Sequence, residues 1–148
     1  MPKLLLHTAV FLLFASTAII AGGTSSNDYV KVDVRPPSTA LKPGGSGEVE
    51  FRFIPVDGIH INVDPPVTFT LDTMTVVSLK EKPVMTKDAK TGYLSTSSPV
   101  RQTVVLARNA APGTFTVKGT VSYFFCSETE GWCNRQKQPV EFTIVVKP

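Results

Sequence analysis

The stretch Gly119-Thr-Val-Ser-Tyr-Phe-Phe-Cys126, then Ser127-Glu-Thr-Glu-Gly-Trp132, Cys133 and a second alternating run from Gln138 to Val146, decides the fold. On the incoming arm Val117, Val121, Tyr123 and Phe125 share one face, and on the outgoing arm Val140, Phe142, Ile144 and Val146 do the same. That is the period-2 signature of half-buried strands. Two such strands joined by a short polar loop make an antiparallel hairpin. Residues facing each other across such a pair have Cβ atoms about 4.5–5.5 Å apart, near the roughly 3.5–4.5 Å that a disulfide spans, so Cys126 and Cys133 can bond across the hairpin mouth.

Upstream the same alternation recurs in shorter pieces. Tyr29–Arg35 alternates until Pro36-Pro37 stops it, since proline cannot continue a ladder. Lys42-Pro-Gly-Gly-Ser-Gly47 supplies turn chemistry, and Glu48–Phe53 alternates charge with apolar residues. Asp57-Gly58 restarts the chain: Ile59, Ile61 and Val63 point one way, and His60, Asn62 and Asp64 the other, until Pro65-Pro66. Val67–Leu71, Met74–Leu79 and Val100–Arg108 complete the set. Lys80–Pro99 holds four lysines and two prolines without a sustained period, and is predicted to be a long loop. No long window downstream of the first residues has helical spacing. About eight short strands with Pro/Gly punctuation predict an all-β, immunoglobulin-like β-sandwich.

The chain opens with Lys3 and an apolar run from Leu4 to Ala21, followed by Gly-Gly-Thr-Ser-Ser-Asn. This has the form of a secretory signal peptide, with small residues permitting cleavage after Ala18 or Gly23. Left uncleaved, the run would serve as an N-terminal membrane anchor. The expected division is a leader over residues 1–23 and one domain over residues 24–148, a length that suits a single core. Without the leader the chain carries fourteen basic and twelve acidic residues, a net charge of +2, and the basic residues are scattered rather than gathered in a stripe. That pattern speaks against nucleic acid as a partner. Export would place the two cysteines where a disulfide persists.

Two readings of the pair stay open from the residues alone. A disulfide in an exported sandwich is most often a staple, but one closing an eight-residue loop limits the unfolded chain by only about 2.5 kcal/mol, against about 4.7 for a 100-residue loop. A bond at an exposed loop end also suits attack by another thiol. The alternative to a redox role is therefore an exported binding or structural module with a permanent disulfide.

Tyr-x-x-Cys, a short acidic loop, Gly-Trp-Cys and a following Pro-Val-x-Phe strand resemble the N-terminal periplasmic domain of the DsbD thiol:disulfide interchange family. Asp57-Gly58 opening a strand and the long segment before Val100 stand in the order that domain shows. The resemblance covers roughly Val56–Val146 and is strongest at the hairpin. It implies an immunoglobulin-like fold and a redox pair that passes electrons from a thioredoxin-like or membrane-bound reductase to oxidised periplasmic proteins. It also implies that Cys133 makes the mixed disulfides and Cys126 resolves them. The family's cysteines stand one residue closer together, its strand after Asp-Gly carries aromatics where this chain has His60 and Asn62, and its covering loop is acidic, whereas Thr86–Tyr93 is mainly basic. The family's transmembrane region and Cys-x-x-Cys domain do not occur in this sequence, so its reductant would come from another protein.

The family register puts His60 beside the pair, where an imidazolium would favour a thiolate. No His-x-His or Cys-x-x-Cys spacing accompanies it, so no metal and no other cofactor is expected. Trp132 is expected to pack rather than to contact a partner. Lys80–Pro99 is expected to shield the sulfurs, through Tyr93 and Met85.

Overall fold

The computed structural model describes residues 22–73 and 76–148. Among them lie nine strands: β1 (Gly23–Ser26), β2 (Val30–Arg35), β3 (Ser46–Pro55), β4 (Ile59–Ile61), β5 (Thr68–Leu71), β6 (Val77–Val84), β7 (Val100–Leu106), β8 (Gly113–Ser127) and β9 (Trp132–Val146). One sheet runs β1-β2-β3-β7-β6. In the other, β8 is central, with β9 along one side and β4 and β5 end to end along the other. Every strand pairing is antiparallel, and no described segment is helical. The protein is an immunoglobulin-like β-sandwich, in line with the alternation of its sequence.

The core lies between the sheets and is filled by the inward positions of each strand. Val32, Val49, Val100 and Val104 are fully buried from the first sheet, and Val117, Val121, Tyr123, Phe142 and Ile144 from the second. Burying one such side chain contributes about 1.5–3 kcal/mol, so the alternating faces supply the main drive to fold. Aromatic rings bridge the sheets: Phe53 meets Tyr123 edge-on at 5.1 Å and Phe51 meets Phe69 at 4.9 Å. Gly119 occupies an inward position of β8 because a Cβ there would lie 2.6 Å from the Phe69 ring and 2.4 Å from the Thr70 carbonyl.

A buried polar chain crosses the middle of the sandwich. The Tyr123 hydroxyl donates to Gln138 Oε1 at 2.5 Å and accepts from Asn27 Nδ2 at 3.0 Å. Asn27 Oδ1 in turn accepts the backbone N–H groups of Tyr29 and Val30, so the turn between β1 and β2 is tied to the hairpin. Burial pushes the Tyr123 hydroxyl pKa up to about 12, with the Asn27 bond pulling the other way.

One expectation needs adjusting, and two others fall wholly or partly outside the described residues. Lys80–Pro99 is not all loop: β6 continues to Val84, with a register irregularity between Lys80 and Val84 and Glu81 in the left-handed region at φ 63°. The buried Gln102 side chain supports this irregularity by donating to the carbonyls of Lys80 (3.0 Å) and Glu81 (3.3 Å). The expected leader lies outside the described residues up to position 21, but Gly23, its last residue under the later cleavage option, is the first residue of β1 and pairs with Val34. Met74, the expected start of the strand that leads into β6, also lies outside the described residues.

Candidate functional site

β8 and β9 are long enough to do two jobs. Their Val117–Val121 and Val140–Val146 portions build the core, while the Phe124–Ser127 and Trp132–Arg135 ends project the cysteines. Cys126 and Cys133 are direct cross-strand partners, with Cα atoms 4.0 Å apart, and they are joined by a disulfide. Between them Glu128-Thr-Glu-Gly131 forms the loop, closed by a hydrogen bond from Gly131 N–H to the Ser127 carbonyl at 2.9 Å. Gly131 takes φ 72°, a left-handed conformation that glycine adopts without steric cost.

Alternation sends the cysteines and the core residues to opposite faces. Tyr123 and Phe125 point inward, so Cys126 points to the outer face of the second sheet. It is nevertheless only 7% exposed, whereas Cys133, on the outermost strand, is exposed. β4 and the residue that follows it stand beside Cys126, and the segment after β6 packs on β4 in turn. His60 is the cross-strand partner of Cys126 on the other side of β8, so His60, Cys126 and Cys133 form one row across the sheet. Asn62 follows β4, donates its backbone N–H to the Phe124 carbonyl at 2.9 Å, and sets Oδ1 at 3.4 Å from Cys126 Sγ. A disulfide sulfur has no proton, so that contact becomes a hydrogen bond only in the dithiol, where the Cys126 thiol donates.

The 85–99 segment lies against β4. Leu94, buried at 5%, donates its N–H to the Ile61 carbonyl at 2.8 Å and carries Tyr93 onto His60. The two rings stack with centroids 4.6 Å apart and planes 10° from parallel. The Tyr93 hydroxyl donates to Glu128 Oε1, and His60 Nε2 lies 3.8 Å from Glu128 Oε2. The hydrogen bond that the Tyr93 hydroxyl donates to the Glu128 carboxylate, which only the protonated form can make, holds it above its ordinary range. Asp88 shapes the turn that presents Tyr93: its Oδ1 accepts from the Lys90 and Thr91 amides, both at 2.9 Å, and from the Thr91 hydroxyl at 3.1 Å. Those bonds, the Thr91 amide first, lower the Asp88 pKa.

The sequence-based site is therefore brought together with two changes of detail, at Tyr93 and Met85. Cys126, Cys133, His60 and Asn62 share one surface, and Tyr93 covers it. Tyr93 reaches the pair through His60, stacking on the imidazole one strand away from Cys126 rather than on the sulfurs. Met85 packs against the hydrophobic core. Trp132 faces the other side of the hairpin, edge-on to Phe125 (5.8 Å) and Tyr29 (5.2 Å), with its indole N–H donating to Glu130, which is a packing role. Glu128, which joins the hairpin loop to both His60 and Tyr93, stands in the sequence only as part of the short acidic loop; its contacts are revealed by the fold alone. Among the described residues no group of three His, Cys, Asp or Glu side chains is placed to hold a metal ion.

Chemically, the row presents one accessible sulfur bonded to one sheltered sulfur. A thiolate arriving from solvent meets Cys133, and the displaced electron pair goes to Cys126, between Asn62 and His60. Set against known proteins, the chain matches no family model, no curated protein and no solved structure.

Proposed function

We propose that this is a periplasmic thiol:disulfide interchange domain in which the Cys126/Cys133 pair passes reducing equivalents between a membrane-bound or thioredoxin-like reductase and oxidised partner proteins. The observation that carries the reading is the asymmetry of the pair, Cys126 buried and Cys133 exposed. In the oxidising half-reaction the Cys133 thiolate attacks one sulfur of a partner disulfide. The Cys133–partner S–S bond forms as the partner's second sulfur leaves as a thiolate and takes up a proton. Cys126, deprotonated, then attacks Cys133 Sγ, which closes the Cys126–Cys133 bond and releases the partner's first sulfur as a second thiol. Two electrons move to the partner, and the domain passes from dithiol to disulfide. The reductase reverses the sequence, its thiolate attacking Cys133 because access to Cys126 is blocked.

At the sheltered end Asn62 Oδ1 accepts from the Cys126 thiol and so stabilises the reduced, protonated form. His60, the cross-strand partner of Cys126, lines the same end of the row. Redox titration of the purified domain tests the proposal: an interchange pair should equilibrate between roughly −120 and −270 mV, and a value below about −300 mV would assign the bond to a permanent staple. Cys126→Ser should in addition accumulate mixed disulfides through Cys133 on non-reducing gels. Adducts seen only with Cys133→Ser would reverse the two roles.

A further inference from the structure

The outer edge of β9 changes character along its length. Phe124 sends its carbonyl to Asn62 and Lys118 sends its carbonyl to Asp72, so the even-numbered residues of β8 hydrogen-bond away from β9. In an antiparallel ladder their opposite numbers on β9 then point their own N–H and C=O groups away from β8. Val145 does so, donating nothing inward and accepting the Leu41 N–H at 2.8 Å. Further up the strand Gly23 of β1 lies against the Glu141 carbonyl, close enough that a Cβ would stand 2.1 Å from it, and Pro139 has no N–H to offer. Above Pro139 the edge is open. Cys133, Arg135 and Lys137 are all exposed, and no backbone partner on that side exists among the described residues. The Lys137 carbonyl has only a long bond from the Gln136 side chain, at 3.4 Å.

We propose that this open edge, Cys133 to Lys137, receives an extended, acidic, cysteine-bearing segment of the partner protein as an added antiparallel strand. The inference rests on the interchange reading for the identity of its occupant. Strand addition would use the outward N–H and C=O groups of Cys133, Arg135 and Lys137 and would lay the incoming sulfur beside Cys133 Sγ, the sulfur that has to be attacked. Side chains at these three positions share the outer face with Cys126, and Arg135 is held there over the Phe124 ring at 5.8 Å. Their charge chooses the occupant. A second copy pairing antiparallel on the same edge would set Arg135 against its own counterpart or against Lys137 of that copy, like charge on like, whereas acidic residues flanking the partner's cysteine would meet both with opposite charge.

Two measurements test this independently of each other. In the first, the oxidised domain is mixed with a short acidic peptide carrying serine in place of the cysteine, and backbone amide exchange is followed. The amides of Cys133, Arg135 and Lys137 should slow by roughly tenfold, the effect of a few added backbone hydrogen bonds, while those of Asn134 and Gln136 stay as they were. A basic peptide of the same pattern should give no slowing, and the double variant Arg135→Glu, Lys137→Glu should reverse that preference. No slowing at the three amides, or equal slowing by both peptides, overturns the proposal whatever the redox behaviour. In the second, the reduced domain meets the acidic peptide with its cysteine present as a mixed disulfide to a small thiol. Methylating the peptide's pairing amides should cut the exchange rate roughly tenfold, as lost hydrogen bonds would, without altering exchange with oxidised glutathione. Equal rates for both peptides refute strand addition. Failure to exchange even with oxidised glutathione refutes the interchange reading, and the amide measurement then decides the docking edge alone.

Discussion

The two faces of the second sheet each carry a tyrosine whose hydroxyl donates to a side-chain oxygen, and the two arrangements behave as different devices. On the inner face Tyr123 and Gln138 are buried and bonded to each other, and half-buried Asn27 extends the chain and ties the hairpin to the first sheet. On the outer face Tyr93 sits in a solvent-facing cluster with Glu128 and His60 that ties the 85–99 segment to the site. Buried, an unpartnered hydroxyl or amide costs about 1–3 kcal/mol, and with Gln138 Nε2 already lacking a partner the inner chain has no bond to spare. Exposed, water replaces any lost partner, and pairs of this kind are worth about 0–1 kcal/mol. The inner chain is therefore a fixture and the outer one a fastening that can open.

The largest effect should come from the inner face. Tyr123→Phe leaves Asn27 and Gln138 without their shared partner and should lower stability by about 1–3 kcal/mol in urea melts at neutral pH. The native domain should show a second sign of the same burial. The folded pKa of about 12 lies above the unfolded value near 10, so the folded state holds its proton longer. Stability is then fully present below about pH 10 and falls by roughly 2–3 kcal/mol as the pH rises to 12. Tyr123→Phe should lack that alkaline loss; an identical loss in the variant would mean another group causes it.

The outer fastening should respond in access rather than in stability. Glu128→Ala should change unfolding free energy by less than about 0.5 kcal/mol, the range of ordinary surface substitutions, yet speed alkylation of the reduced Cys126 thiol several-fold. An unchanged alkylation rate would show that the backbone bond from Leu94 to Ile61 holds the cover without Glu128. Smallest of all should be the turn at Asp88. Its depressed pKa marks stability that is present above the unfolded value of about 3.9 and is lost as pH falls through the lower folded value. Asp88→Ala should accelerate exchange of the Lys90 and Thr91 amides with the melting temperature essentially unmoved, and no acceleration would remove Asp88 from the fastening.

What was legible in the sequence follows from range. The alternation of Val117–Phe125 and Val140–Val146 is local and strong, so the hairpin, its inward face and the opposed cysteines can be read directly, and Pro/Gly punctuation marks the other strands. His60 and Asn62 were placed beside the cysteines by a family register rather than by their own pattern. Lys80–Val84 lost its strand signal because the irregularity at Glu81 breaks the period, and the residue that supports it, Gln102, lies in a different strand. Gly23–Ser26 has no apolar alternation and draws its pairing from β2. Glu128 reads as one of the acidic residues of a solvated loop, and its contact with Tyr93, 35 residues away in the chain, has no local signature.

The division of the β8 edge between β4 and β5 has a dynamic consequence. β4 contributes three residues to the ladder, and the segment bearing Leu94 and Tyr93 hangs from β4 through the Ile61 carbonyl. β5 holds the lower half of the edge by its own pairing from Thr68 to Leu71. Short, peripheral units with few buried contacts open at free energies well below that of global unfolding. β4 is short, but Ile59, Ile61 and the attached Leu94 reach the core, so fraying it as a piece costs about 1.5–3 kcal/mol for each of those side chains and lies between a loop opening and global unfolding. Exposure of Cys126 would then be set by the population of that frayed state, so the lifetime of the dithiol against stray oxidants could be adjusted through β4 without altering the fold at all.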